Sequence, residues 1–359
     1  MKKLCLAVFA ACMLTSGAHA QSAVTLYGSI DEGVTWTNNA QGNHSAFAGP
    51  IAVPDFFGLR GREDLGNDMS AIFALQQGFK SNTGQSTIAG EAFGHFAYVG
   101  LSSVRYGALT LGRQLDLAAD ALRVNSNGAD QFTFYLFHPA NLDNLGIIGD
   151  SINNSVKYTT PLVHGLSASA LYGFADGSTQ PGRVVSTDVV YTQGPLRASF
   201  VYSSWRNHAI PLVSGLGESA FLGQSLANGA VFLATKQDIF GLSALYRFSS
   251  LVDVHGVLTQ VNLASRTQSG RMRNAEAGVD YHATPANTIT LGGYVSWLTG
   301  TRYAELGIGD LYSLSKPTVV YAQITYQHAE GAANAAMPLL APSSSPNQLA
   351  LRIGVHHFF

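Results

Sequence analysis

Hydrophobic and polar residues alternate along the chain in short runs from residue 23 to the last residue. Between 273 and 283, for example, Ala275, Ala277 and Val279 alternate with Glu276 and Asp280. A period of two predicts β-strands that have one apolar and one polar face. We predict sixteen strands, near residues 23–36, 56–64, 69–79, 93–102, 107–114, 153–160, 166–175, 184–193, 196–205, 238–247, 251–262, 273–283, 288–299, 303–314, 318–329 and 347–359.

The predicted connections alternate between short turns, such as 65–68 and 103–106, and longer loops. The long loops fall near residues 37–55, 80–92, 115–152, 206–237 and 330–346. A soluble sandwich or a propeller would also contain many strands, but short turns on one rim and long loops on the other are typical of outer-membrane barrels. Most of the predicted strands approach the roughly 9–11 residues that a tilted strand needs to cross a bilayer. The pattern predicts an all-β, 16-stranded antiparallel transmembrane barrel.

Composition supports this class. Charged residues make up only 12% of the 359 residues, against about 25% in soluble domains, whereas 46% are hydrophobic. After the N-terminus there is no apolar run long enough for a membrane helix, and a net charge of -2 gives no basic surface for nucleic acid. Sixteen strands leave an aqueous lumen. Aromatic residues near strand ends are candidates for the two interfacial girdles, namely Trp36, Tyr158, Trp205, Trp297, Tyr312 and Phe359.

The first twenty residues have the features of an export signal. Lys2 and Lys3 precede an apolar run over 4–14, and a small-x-small cleavage site ends at Ala20. We therefore predict a secretory signal peptide at 1–20 and a mature outer-membrane barrel at 21–359. Both cysteines of the chain lie in the signal, so the mature protein cannot form a disulfide.

Five segments of the chain are distinctive, namely VTLYGSIDEGV at 24–34, FFGLRGREDLGNDMSAIFALQQGF at 56–79, FGHFAYVGLSS at 93–103, GALTLGRQ at 107–114 and NNSVKYTTP at 153–161. These segments resemble the general, non-specific porins of Gram-negative bacteria, of the beta-proteobacterial type. The resemblance implies a homotrimer in the outer membrane that passes small hydrophilic solutes and ions passively, in contact with membrane lipid and lipopolysaccharide. It also implies that the terminal aromatic, Phe359, is read by the outer-membrane assembly machinery. The sequence departs from the family at His95, where arginine is usual, and at Glu32 on an apolar face.

By the same resemblance the loop at about 115–152 folds into the lumen and constricts the pore. Its acidic residues are Asp116, Asp120, Asp130, Asp143 and Asp150. Basic residues are expected on the opposite wall, and Arg60 and Arg62 share a face because they are two residues apart. The full set of candidate pore-lining basic residues is Arg60, Arg62, Lys80, Arg113, Lys157 and His95. Acidic and basic groups facing each other would filter permeants by charge.

Two other functions fit parts of the sequence. A substrate-specific channel for sugars or organic ions would need an aromatic track, for which Tyr27, Tyr294 and Tyr303 have the polar-face parity. An outer-membrane lipase or protease would need serine and histidine to meet across strands, but no Gly-x-Ser-x-Gly or His-Glu-x-x-His motif is present. We expect no enzymatic activity and no cofactor. We also expect no metal site at His356 and His357, because adjacent residues point to opposite faces of a strand.

Overall fold

The computed structural model describes residues 23–127, 137–146, 151–178, 180–212, 216–226 and 231–359. The predicted signal at 1–20 lies outside these residues. The strands are Ala23–Ala40 (β1), Asn43–Gly49 (β2), Asp55–Gly66 (β3), Met69–Phe79 (β4), Phe96–Ser103 (β5), Gly107–Leu115 (β6), Ser151–Thr159 (β7), Leu166–Gly173 (β8), Val184–Gln193 (β9), Leu196–Pro211 (β10), Ala220–Phe221 (β11), Gln224–Ser225 (β12), Val231–Arg247 (β13), Val252–Ala264 (β14), Ser269–Thr284 (β15), Asn287–Leu298 (β16), Thr301–Ser315 (β17), Thr318–Glu330 (β18) and Asn347–Phe358 (β19).

A closed antiparallel barrel is formed by β1, by β3 to β10 and by β13 to β19, which are sixteen strands within the described residues. It closes because β1 pairs with β19 on one edge and with β3 on the other. The predicted barrel and strand number are confirmed. β11 and β12 form a separate small hairpin. Among the described residues there is one short helix, Leu117–Leu122 (α1), and there are two 3-10 turns at Arg123–Asn125 and Pro139–Asn141.

Two predicted loops are partly strand. In the predicted loop at 37–55, β1 extends to Ala40 and pairs with β2, so residues 43–49 form a strand. In the predicted loop at 206–237, β10 extends to Pro211 and β13 begins at Val231. These extensions keep their backbone groups hydrogen-bonded beyond the apolar band. No helix among the described residues is long and apolar enough to span a membrane.

The two faces of the strands differ as predicted. On β19, Leu351, Ile353 and Val355 are exposed on the outer side, whereas Arg352 and His356 are buried on the inner side. The same alternation holds on the other strands, where exposed outer residues include Leu26, Leu242, Leu291, Leu306 and Ile324. Trp205 is an exception to the predicted girdle, since its side chain points inward and is buried.

An ion pair is buried on the inner side of the barrel seam. Arg352 Nη2 lies 2.7 Å from Asp31 Oδ2, and both side chains are fully buried. Asp31 also accepts the backbone N–H groups of Ile51 and Ala52 at 3.1 and 3.0 Å, at the break between β2 and β3. Asp31 therefore pairs two backbone N–H groups that have no strand partner at this break. Removing one partner of such a pair typically costs about 3–5 kcal/mol.

The last residue completes the seam. The backbone N–H of Phe359 donates to the Gly28 carbonyl at 3.1 Å, and that of Gly28 donates to the Phe359 carbonyl at 3.0 Å. The Phe359 ring lies against Gly28, where a Cβ would be 2.2 Å from its Cζ. A glycine is thus required at position 28 for the terminal ring to pack on β1.

Candidate functional site

The segment between β6 and β7, residues 116–150, is here called the inner loop. Its helix α1 packs inside the barrel against β9, β10 and β13. Leu117 and Leu122 are buried there, and Leu122 Cδ1 would be 2.5 Å from a Cβ at Gly241 on β13. The absence of a side chain at 241 therefore allows α1 to approach the wall closely.

Asp116 anchors the inner loop to the wall and is fully buried. It caps α1 by accepting the Ala118 N–H at 3.3 Å. Its oxygens also accept the hydroxyls of Ser186 at 2.7 Å and Ser203 at 2.8 Å, and the indole N–H of Trp205 at 2.9 Å. A carboxylate with this many buried donors is a structural anchor. Asp116 therefore does not face water, unlike the acidic residues that are expected at a constriction.

A second buried anchor contains His138, Asp143 and Glu276. His138 Nδ1 is 2.5 Å from Asp143 Oδ2, and its Nε2 is 3.1 Å from Glu276 Oε2 on β15. Burial disfavours the charged imidazole, but the two carboxylates outweigh it and raise the pKa of His138 to about 10. Burial likewise acts against ionised Asp143, but His138 lowers the pKa of that carboxyl below its usual range. His138 is thus a buried cation that binds the loop to the wall.

One acidic residue of the inner loop faces a basic residue on the wall. Asp120 Oδ2 lies 3.2 Å from Lys157 Nζ on β7, and their side chains are 35% and 20% exposed. Since both groups are partly exposed, this pair places opposite charges beside water inside the barrel. Both residues were candidates for the constriction, and here they are in direct contact.

Arg60 and Arg62 lie on β3, half-way around the barrel from the strands that hold α1. Both are exposed, and the register places Arg60 opposite Thr25 and Arg62 opposite Ala23 of β1. Their parity is opposite to that of the outward Phe57, so both side chains point inward. The Arg60 guanidinium lies 5.2 Å from the centre of the Tyr27 ring. The wall opposite α1 is therefore positively charged.

Two predicted basic residues, Arg113 and His95, have largely buried side chains that lie close together. Arg113 lies at a β-bulge, where the pairing of β6 with β7 shifts between Gly112 and Gln114. Its Nη2 is 2.9 Å from Glu91, and its Nε donates to the Gly94 carbonyl at 2.8 Å, beside His95. His95 is buried, and burial followed by the charge of Arg113 lowers its pKa to about 4. It is therefore neutral at neutral pH and adds no pore charge.

The remaining predicted residues lie in a turn, are buried, or fall outside the described residues. Lys80 is exposed in the turn that follows β4. Asp130 and Asp150 lie outside the described residues. Tyr294 and Tyr303 do point inward, but both are buried, with the Tyr303 hydroxyl donating to the Leu216 carbonyl at 2.6 Å. They cannot form a water-exposed aromatic track.

Sequence reasoning missed several residues of the anchors. His138 was not singled out, and Glu276 was named only as a polar-face residue of its strand. Trp205 was expected in an interfacial girdle, although it alternates with the outward Tyr202 and Phe200 on β10 and shares the face of buried Ser203. A buried carboxylate needs a partner, so acidic residues on the inward face of the wall could have indicated where the loop is anchored. The partner could not be named because it lies more than a hundred residues away, as His138 does from Glu276.

Comparisons with known proteins agree with this architecture. A family model described as Gram-negative porin matches residues 7–332. Outer membrane porin protein 32 of Delftia acidovorans is 28% identical over the full length of both chains. An outer membrane porin protein of Bordetella pertussis is 32% identical over 236 residues, or 56% of this chain and 59% of that protein, which is less than two thirds of its length.

Solved structures share the fold. An anion-selective porin from Comamonas acidovorans superposes with a TM-score of 0.77 at 22% identity, covering 94% of this chain and all of that one. A trimer form of the outer membrane protein OmpT of Vibrio cholerae superposes with a TM-score of 0.69 at 12% identity, covering 94% of this chain and 99% of that one. Structural neighbours of this chain thus include a trimeric form.

Proposed function

Because the chain belongs to the Gram-negative porin family, we propose that its permeation path runs between the inner loop and the basic wall of β3. The family and the barrel make it an outer-membrane channel for passive diffusion. What supports the path is the distribution of exposed charge. Asp120 and Lys157 are partly exposed at the edge of the loop, and Arg60 and Arg62 are exposed across from it.

The channel should favour small anions. Arg60 and Arg62 are exposed on the inner wall, whereas three inward acidic residues have buried cationic partners. These acids are Asp31 with Arg352, and Asp143 and Glu276 with His138. These carboxylates are buried in contacts within the wall, whereas Arg60 and Arg62 are exposed, so the arginines set the sign of the potential beside them. The exposed pair Arg60 and Arg62 is the observation that carries this proposal.

The test is the reversal potential of the purified channel in a potassium chloride gradient across a planar bilayer. The wild type should be anion-selective, and the double variant Arg60→Glu/Arg62→Glu should shift toward cations. A matched control, Arg105→Glu/Arg266→Glu, changes the same charge in an exposed turn and an exposed loop and should leave the reversal potential near that of the wild type. If both double variants shift the potential equally, total charge rather than the β3 wall determines selectivity.

The assembly is proposed to be a homotrimer, with the outer faces of the terminal strands between subunits, because neighbours of this fold include a trimer form. Cleavage of residues 1–20 during export and recognition of Phe359 by the assembly machinery belong to the same proposal. The family assignment favours a channel over an enzyme. The burial of Tyr294 and Tyr303 disfavours a sugar-specific track. Unheated protein should run on gels as a species about three times larger than the boiled chain, and a single small species at both temperatures would exclude the trimer.

A further inference from the structure

Four aromatic side chains lie on the inner wall of β1, β3 and β5. Strand parity turns them toward the lumen, because the outward, exposed residues are Leu26 on β1, Phe57 on β3 and Val99 on β5. All four inward rings are partly exposed. We call them the aromatic patch, which consists of Tyr27, Phe56, Phe96 and Tyr98.

The rings of the aromatic patch form two contacting pairs. Tyr27 is paired with Gly58 of β3, and a Cβ at Gly58 would be 2.6 Å from Tyr27 Cζ, so the phenol ring lies across that glycine. The centre of the Tyr27 ring is 6.0 Å from that of Phe56, in an edge-to-face arrangement. On β5, the centres of the Phe96 and Tyr98 rings are 5.9 Å apart. Such ring pairs stabilise each other beyond the apolar area that they bury.

One strand, β4, separates the two pairs of rings. Its inward residues Ala74 and Gln76 pair with Tyr98 and Phe96 of β5. Both are buried although they face the lumen, so neighbouring side chains cover the wall between the two pairs. The four rings therefore belong to one continuous surface on the inner wall.

Arg60 places a cation at the edge of the aromatic patch. Its guanidinium lies 5.2 Å from the centre of the Tyr27 ring, and the register pairs Arg60 with Ala74, which in turn pairs with Tyr98. Within the described residues, neither Arg60 nor Arg62 takes part in an ion pair. The planar fork of a guanidinium matches the geometry of a carboxylate. An oxyanion on Arg60 would therefore lie beside the rings.

The rings and the cation together select one class of ligand. A simple anion such as chloride or acetate would use the arginine but not the rings. A sugar would stack on the rings but would gain nothing from the charge. An aromatic ring that carries a carboxylate uses both, because its ring stacks on the aromatic side chains while its charge meets the guanidinium.

We infer that the aromatic patch and Arg60 bind small aromatic acids in their anionic form, with the carboxylate on the Arg60 guanidinium and the ring against the patch. The inference rests on the permeation path proposed above, because the ligand must reach β3 through the lumen. It adds a preference among anions to the preference for anions over cations.

The test measures block of the single-channel potassium chloride current by benzoate. Cyclohexanecarboxylate is the comparison, since it has the same charge and a similar size but no aromatic ring. Benzoate should half-block the wild type at a concentration about fivefold lower than cyclohexanecarboxylate does. The variant Phe56→Leu/Phe96→Leu should remove this difference by weakening the block by benzoate. The matched control Phe57→Leu/Phe240→Leu removes two exposed rings from the outer face and should behave as the wild type does.

Two further arms separate the parts of the site. Arg60→Gln should weaken the block by both acids to a similar extent, because both lose the cation, and an unchanged block would overturn the assignment of the carboxylate to Arg60. Glucose should not block the wild type at the concentrations at which benzoate does. Block by glucose as strong as that by benzoate would overturn the inference and indicate a stacking surface for sugars.

The wild type alone can refute the inference, without any variant. Equal block by benzoate and cyclohexanecarboxylate would overturn it, and an anion-selective reversal potential in the same bilayers would show that the proposed selectivity still holds. Unchanged block by benzoate in Phe56→Leu/Phe96→Leu, with wild-type conductance, would also overturn it. A benzoate preference in a channel that proves cation-selective would contradict the proposed selectivity and support the aromatic patch.

Discussion

Replacing His138 by leucine should release the inner loop from the barrel wall. The imidazolium lies between the carboxylates of Asp143 and Glu276, at 2.5 and 3.1 Å, and all three side chains are fully buried at these contacts. Leucine would leave two buried carboxylates without their cation, and breaking such a pair typically costs about 3–5 kcal/mol. If that cost falls on the loop rather than on the barrel, backbone amides of 116–127 and 137–146 should exchange about a hundredfold faster or more.

The assay is amide hydrogen exchange of the detergent-solubilised protein, followed by mass spectrometry of loop and strand peptides. His44→Leu is the matched control, since His44 is exposed on β2 and stacks only on Trp36 at 5.9 Å. That variant should leave the loop peptides protected as in the wild type. Unchanged protection of the loop in His138→Leu would refute the anchoring role of this cluster.

The same cluster predicts a dependence on pH. The pKa of His138 is raised from 6.5 to about 10, so its stabilisation is complete below about 6.5 and is lost as pH rises toward 10. The pKa of Asp143 is lowered, so its contribution is present above 3.8 and is lost as pH falls through the lower folded value. Loop protection, corrected for intrinsic exchange, should therefore fall between pH 7 and pH 9 in the wild type and stay flat in His138→Leu.

Three other variants test the barrel and its loop. Asp116→Ala removes the acceptor of several buried donors, each of which costs about 1–3 kcal/mol when it is left unpaired. The variant should raise single-channel conductance, because α1 would be held less firmly against the wall. An unchanged conductance and melting temperature would contradict the anchoring role of Asp116. Leu351→Arg should reduce the heat-modifiable fraction in membrane extracts, because a charge facing lipid costs about 2–4 kcal/mol near the midplane, whereas Thr192→Arg on an inward, exposed position should assemble. Deleting Phe359 removes two backbone hydrogen bonds to Gly28 and should slow assembly, measured by pulse-chase, and normal kinetics would count against its role at the seam.

The barrel could be predicted because lipid imposes a simple rule on each strand. One face must be apolar and every backbone group must be paired, so a period of two and the alternating connections determine most of the fold. The same parity puts Arg60 and Arg62 on the inner face of β3. It does not decide the direction of Arg113, because the pairing of β6 with β7 shifts between Gly112 and Gln114.

The interior contacts could not be predicted in this way. Asp116 precedes α1, yet its partners Ser186, Ser203 and Trp205 lie 70 to 89 residues further along the chain. Strand parity shows that such residues face inward but not which strand the loop will pack against. Both acidic residues contact the wall, but Asp120 stays partly exposed beside Lys157 whereas Asp116 is fully buried, and the sequence does not distinguish the two cases.

The most direct test of the central conclusion is single-channel recording of the purified wild type in a planar bilayer. The water-filled barrel predicts stepwise current increments that grow linearly with voltage, with a reversal potential in a potassium chloride gradient that has the sign of anion preference. Absence of stepwise conductance from correctly folded, heat-modifiable protein would contradict the channel itself. A cation-selective reversal potential would contradict the proposed role of the arginines on β3.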